Sequence, residues 1–172
     1  MAIVVVETLA TEPLTPENPT DTDLRVLGCL TERAATWRYS LLSHDRLRML
    51  CTFAAPDAES VRAAYRKGGG AFNRIWSGER LTPDGTQPHW DEAHLFVIEG
   101  TYAPIGETEL HDLSHKTLSC YTERGIEWIQ SYLSRDRTRL ICELNAPDTE
   151  SIRAAQYRIG VPRITKPNRP RW

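Results

Sequence analysis

The stretch APDAESVRAA, Ala55 to Ala64, returns 91 positions later as APDTESIRAA, Ala146 to Ala155. The same shift carries Cys29, Trp37, Ser40, Asp45, Arg46 and Cys51 onto Cys120, Trp128, Ser131, Asp136, Arg137 and Cys142. A chain of 172 residues with a single long internal match holds two copies of one small unit. A solenoid would need several short repeats.

Each copy predicts the order β-α-β-β-α-β. The first strands are Ile3–Glu7 and Leu95–Glu99, followed by helices over about 20–33 and 107–124. Strand two, Trp37–Leu42 or Trp128–Leu133, meets strand three, Arg48–Phe53 or Arg139–Leu144, through the polar turns SHDR and SRDR. The repeated phrase opens the second helix. Pro56 ends the strand, Asp57 is placed to cap the helix, Glu59 and the later Arg62, Arg66 and Lys67 match its dipole, and glycine stops it. The fold class expected is α+β, with tandem ferredoxin-like repeats forming an intrachain pseudo-dimer α+β barrel. The expected organisation is repeat 1 over 1–76, a Pro- and Gly-containing linker over 77–93, repeat 2 over 94–165 and a basic tail over 166–172.

Composition narrows the function classes. A formal net charge of −2 provides no general field for nucleic acid or an anionic membrane. The start MAIVVVETLATEP lacks a basic n-region and reads as a strand. No apolar run nears the roughly 20 residues of a membrane span, so a cytoplasmic location is expected. RNA-recognition domains share the element order but carry aromatic residues on strand three, where this chain has RMLCTF and RLICEL. KGGGAF follows a helix and opens a strand, the reverse of a phosphate loop. No GxSxG occurs, and no histidine repeats with the four cysteines, which read as buried, reduced core residues.

A ferredoxin-like sheet leaves one face without helices. If the SHDR turn sets Leu42 opposite Met49, strict alternation puts Trp37, Tyr39 and Leu41 on that face with Leu50, Thr52 and Ala54. In the copy, Trp128, Gln130 and Tyr132 join Ile141, Glu143 and Asn145. Such a face, aromatic with a few polar groups, has the make-up of a small-molecule pocket between the two sheets. The ligand-binding residues expected are Trp37, Tyr39, Thr52, Trp128, Gln130, Tyr132, Glu143 and Asn145, with Glu7 and Glu99 from the first strands.

The string W-x-x-S-Y/L-L-S-x-D-x-x-R-x-x-C-x-x-x-A-P-D-x-E-S-x-R-A-A resembles a small bacterial family known through a nickel-binding member with a dimeric ferredoxin-like fold. The resemblance covers both halves and implies that the family's dimer becomes internal here. The family writes W-x-H-S-Y on strand two and Y-E-A-P after strand three. Tyr39 and Gln130 stand at the histidine position, and Ala54 and Asn145 at the glutamate position. The first-strand glutamate is kept as Glu7 and Glu99. The resemblance thus implies the fold, while phenol, amide and methyl groups are poor replacements for nickel donors.

A second metal reading is local to the second repeat. His111 and His115 are four apart on one helix face, within reach of Glu107, Cys120 or another chain. His89 and His94 lie near the linker. The function expected is a noncatalytic small-ligand-binding protein with a site between the sheets, and less readily a nickel or other divalent-metal binder; no further cofactor is expected. The alternatives are a cofactor-free α+β-barrel enzyme on a small aromatic or oxygenated substrate, with Glu143, Glu7 or Glu99 as acid/base, and a protein-interaction module. The tail ITKPNRPRW would supply a protein contact, and a homo-oligomer is left open.

Overall fold

The computed structural model describes residues 1–83 and 89–160. The described residues divide into two compact units, Met1–Glu79 and those from Arg80 to Gly160. In the first, β1 (Ala2–Leu9), α1 (Asp21–Thr31), β2 (Thr36–Leu42), β3 (Arg48–Ala55), α2 (Ala58–Gly68) and β4 (Arg74–Leu81) follow in the β-α-β-β-α-β order. The strands lie in the order β2-β3-β1-β4, and every pair is antiparallel. β4 runs on to Leu81, so Ser77–Leu81 of the expected linker is strand.

The second unit repeats the plan with β5 (Leu95–Thr101), α3 (Glu107–Thr122), β6 (Glu127–Ser134), β7 (Arg139–Asn145) and α4 (Thr149–Ile159). Its strand order is β6-β7-β5, the same as β2-β3-β1. The expected tail, 166–172, and the positions a further strand would take after Gly160 lie outside the described residues. Among the described residues no helix is long and apolar enough to cross a membrane.

The duplicated phrase is helix-start chemistry. The Asp57 carboxylate accepts from the Ser60 backbone N–H at 2.7 Å, and Asp148 accepts from that of Ser151 at 2.7 Å. Each satisfies an N–H that the first helical turn would leave unbonded. Both helices end on a left-handed glycine, Gly69 at φ 80° and Gly160 at φ 71°. Gly68 has a different reason to be glycine: a Cβ there would lie 2.7 Å from Cα of Val26, where α1 crosses α2.

Each unit has its own core, on the helix side of its sheet. Val4, Val6, Cys51 and Phe53 meet Val26, Leu30, Val61 and Ala64 in the first, and Phe96 and Leu144 meet Tyr121, Ile126, Ile152 and Ala155 in the second. Each buried aliphatic or aromatic side chain of this size stabilises by about 1.5–3 kcal/mol, so these clusters fix which sheet face is inside.

The hairpin register is Leu42 opposite Met49 and Leu133 opposite Leu140. Alternation does not survive to the start of β2 or β6. A bulge falls between Trp37 and Tyr39, and another between Trp128 and Gln130. The extra residue flips everything before it to the opposite face. Trp37 is therefore opposite Phe53 and Trp128 opposite Leu144, both core residues on the helix side. This corrects the expectation that the two tryptophans line the open face.

Candidate functional site

The residues that carry the family-like string are accounted for by local structure. The Trp37 indole N–H donates to Ser40 Oγ at 2.9 Å, and Ser40 Oγ lies 3.0 Å from Cys51 Sγ. Trp128 donates to Ser131 Oγ at 2.8 Å in the same way. Burial is the main influence on Cys51 and Cys142: it raises the first thiol above its ordinary value and pushes the second up to about 11, so both are held as thiols. Thiols held protonated in a core are not nucleophiles.

The S-x-D-R turns are clasps. Arg46 and Arg137 sit at φ 61° and 57°. Asp45 accepts from Ser43 Oγ at 2.5 Å and the Leu47 N–H at 3.0 Å, and Asp136 accepts from Ser134 at 2.5 Å. The turn aims the Arg46 guanidinium at the Leu14 carbonyl (2.8 Å) and Glu17 (2.6 Å), and that of Arg137 at the Ile105 carbonyl (3.4 Å) and Glu107 (3.3 Å). Each arginine ties its hairpin to the loop entering the first helix of its unit.

On the open face of the first unit, Tyr39, Thr52, Val5 and Trp76 form one cross-strand row. Glu7 and Leu41 flank Leu50 in the next. Glu7 is buried, and its Oε1 accepts from the Trp76 indole N–H at 2.7 Å.

The polar residues of the second unit gather on the equivalent face. Gln130 and Val97 flank Glu143, Tyr132 and Glu99 flank Ile141, and Glu127 and Leu95 flank Asn145. Gln130 and Glu143 are each 1% exposed, Tyr132 3% and Asn145 8%. The Gln130 side-chain amide donates to Glu143 Oε2 at 2.8 Å. A second donor reaches the same oxygen at 2.8 Å, the indole N–H of Trp90.

Trp90 belongs to the segment before β5, and Asn145 holds its backbone. The Asn145 carbonyl oxygen accepts from the Asp91 N–H at 3.0 Å, while its amide nitrogen donates to the His89 carbonyl at 2.9 Å and to Glu127 at 2.7 Å. Asp91 in turn meets the His94 ring at 2.7 Å, a contact that, ahead of a bond from the Ala93 N–H, lowers the Asp91 carboxyl below its ordinary value.

Trp76 and Trp90 were not among the residues expected at a site. Trp76 lies on β4, at the border of the stretch read as linker, where the core residue Ile75 puts its neighbour on the opposite face. Trp90 had no periodic pattern to place it.

The metal candidates are dispersed. His111 and His115 are exposed, with ring centroids 4.4 Å apart. Cys120 is in the core, and Glu107 bonds Arg137. His89 and His94 are exposed, and Glu99 faces Arg139 at 3.4 Å. Among the described residues no three His, Cys, Asp or Glu side chains gather as a metal site would require.

Strand order and helix placement define an α+β protein of ferredoxin-like units, with a buried polar cluster under a tryptophan in the second. The chain belongs to the family described as nickel responsive protein SCO4226-like, whose model matches residues 4–77 and 96–165. Among solved structures it is similar to SCO4226 from Streptomyces coelicolor A3(2), at 14% identity and a TM-score of 0.38, over 43% of this chain and 91% of that one. A mutant chlorite dismutase from Candidatus Nitrospira defluvii aligns over 99% of this chain and 86% of its own, at 10% identity and a TM-score of 0.49. An anthrone oxidase-like protein aligns over 96% and 87%, at 9% identity and a TM-score of 0.45. No curated protein matches the chain in sequence.

Proposed function

We propose that this chain is a noncatalytic small-ligand-binding protein whose site is the Glu143 carboxylate on the open face of the second unit's sheet. The observation that carries the reading is a carboxylate 1% exposed and held by two neutral donors, Gln130 and Trp90. Withdrawing a carboxylate from water is unfavourable unless hydrogen bonds compensate. An apolar residue would pack in a sheet without that cost. Glu143, Gln130 and Asn145 would supply hydrogen bonds to an organic ligand, and Tyr132 an aromatic wall.

The family's description as nickel-responsive raises a metal as the ligand, and the donor set fits one poorly. At the positions where the resemblance puts histidine and glutamate, Ala54 has no donor atom. The Gln130 amide nitrogen points its hydrogens at Glu143, and the Asn145 amide binds the 89–91 backbone and Glu127. Tyr39 is a phenol opposite Thr52. Of the first-strand glutamates, Glu7 accepts from Trp76 and Glu99 faces Arg139. A borderline metal prefers imidazole and thiolate to such groups, so nickel binding at these positions would be weak.

The test is native mass spectrometry with metal analysis on protein purified without an affinity tag, beside the Glu143→Leu variant. The reading expects an organic mass adduct on the parent chain that is absent from the folded variant. Stoichiometric nickel that survives Glu143→Leu, or an adduct indifferent to that change, would overturn it.

A further inference from the structure

We infer that Trp90 is a side-chain gate on Glu143 and that the ligand it stands in for is a planar nitrogen heterocycle with a ring N–H. The inference rests on the reading of the Glu143 face as a ligand site and specifies the class of ligand. In this structure the Trp90 indole N–H occupies Glu143 Oε2 at 2.8 Å, beside the Gln130 donor to the same oxygen. The space next to that oxygen therefore already accepts a flat aromatic ring with one N–H aimed at the carboxylate. Any ligand that reaches Glu143 from this side must replace that ring and its hydrogen bond.

Two features make Trp90 a gate and not a fixed strut. Its backbone is held on both sides by one residue, because Asn145 bonds the His89 carbonyl and the Asp91 N–H. The side chain can then rotate while the chain around it stays clamped. Trp90 is also 38% exposed, whereas the carboxylate it covers is 1% exposed. The ring has a route to water, and the carboxyl group does not. The first unit supplies the contrast. Trp76 makes the same indole-to-carboxylate bond with Glu7 at 2.7 Å, but it sits within β4, in register with Val5 of β1. Trp76 is also the more buried of the two rings, and it serves as the reference that stays in place.

An acceptor buried in the sheet should also discriminate. A ligand lacking the ring N–H would leave Glu143 without the donor that Trp90 now provides, and sites built around a hydrogen bond reject such analogues far more strongly than sites that read shape alone. Rotation of Trp90 exchanges its bond to Glu143 for one to water and gives up the ring's buried contacts, which the incoming ligand ring has to replace.

The experiment is complementation of the vacated ring. Trp90→Ala removes the indole and leaves the backbone clamp, and indole and its carbon isostere indene are the probes. Calorimetry is expected to show indole binding Trp90→Ala at least about tenfold more tightly than indene, with the preference lost in Trp90→Ala/Glu143→Leu. Equal binding of the two probes would overturn the heterocycle assignment while leaving the pocket. Binding of neither would overturn the pocket as well. Should Trp90→Ala not fold, the parent chain decides. Its Trp90 side-chain N–H resonance, assigned by its absence in Trp90→Phe, should move toward the solvent-exposed position as millimolar indole is added, while that of Trp76 stays. An unmoved Trp90 resonance would overturn the gate.

Discussion

Trp128 donates its indole N–H to Ser131 Oγ at 2.8 Å, three residues along the same strand, across the bulge that turns the tryptophan toward the helices. Ser131 is 2% exposed and also hydrogen-bonded to Cys142. Trp128→Phe deletes that donor and one of the indole's two rings, so about 1–2 kcal/mol from the lost hydrogen bond adds to lost packing against the second core. The repeat holds its own control. Trp37 makes the same bond to Ser40 but is 55% exposed, so water can replace it and Trp37→Phe should cost less. Urea denaturation of the two variants, compared by midpoint at constant slope, measures the difference.

Arg46 occupies the left-handed region at φ 61° while its guanidinium holds the Leu14 carbonyl and Glu17. Two effects separate on substitution. Arg46→Ala loses the clasp and keeps the backbone strain. Arg46→Gly loses the clasp and relieves about 1 kcal/mol of strain. Arg46→Gly should therefore be the more stable of the two by about that amount in thermal unfolding, and the same order should hold at Arg137.

Much of this is legible in the sequence. Helix caps at Asp57 and Asp148, the hairpin register set by the S-x-D-R turns, and the placing of Gln130, Tyr132, Glu143 and Asn145 on one sheet face all follow from local rules that the duplication states twice. The two tryptophans of β2 and β6 did not follow. A bulge is one extra residue, and the string TWRYSLL alternates acceptably with or without it. Its position is set by how strand twist and core packing settle at Phe53 and Leu144, contacts distant in sequence. Trp90 escaped for a different reason. It is held by Asn145, more than fifty positions away, in a stretch whose composition reports only that it is not regular structure.

The same turns should shape the acid limb of stability. The Asp136 carboxyl lies below its ordinary value of 3.8, chiefly through the Ser134 hydroxyl and then through Thr138. Asp45 is lowered by Ser43 first and by the Leu47 N–H next. A carboxyl whose folded value is depressed contributes stability that is fully present above its unfolded value and is lost as pH falls through the folded one. Melting temperature should thus fall as pH drops below about 4, and Asp45→Asn/Asp136→Asn should flatten that limb while lowering the plateau above it.

The cysteines give a labelling prediction. Cys51 is buried with its thiol raised, and that of Cys142 is pushed up to about 11, so at pH 8 little of either is thiolate. Alkylation of the native protein by iodoacetamide at that pH should leave both unmodified over minutes, and addition of urea through the unfolding transition should expose them together. Rapid labelling of Cys142 in the folded state would contradict its packing against the second core.

The final prediction concerns whether the Gln130–Glu143 pair stabilises the fold or serves the site. Gln130→Leu removes one donor to a carboxylate that is 1% exposed, and Glu143→Leu removes the acceptor from an amide that is 1% exposed. Each single change leaves a buried polar group short of a hydrogen bond, at about 1–3 kcal/mol. The double change removes both groups and puts two apolar side chains opposite each other on a sheet, close to neutral when volumes match, apart from the Trp90 indole N–H that loses its acceptor as it already does in Glu143→Leu. The double variant should therefore be more stable than the sum of the single losses, by a coupling of about 1–2 kcal/mol in a double-mutant cycle. A double variant as stable as the parent would mean that the fold does not need the pair, leaving its retention to be explained by what binds there. If the losses simply add, the two side chains do not depend on each other, and the hydrogen bond at the centre of the site contributes nothing measurable.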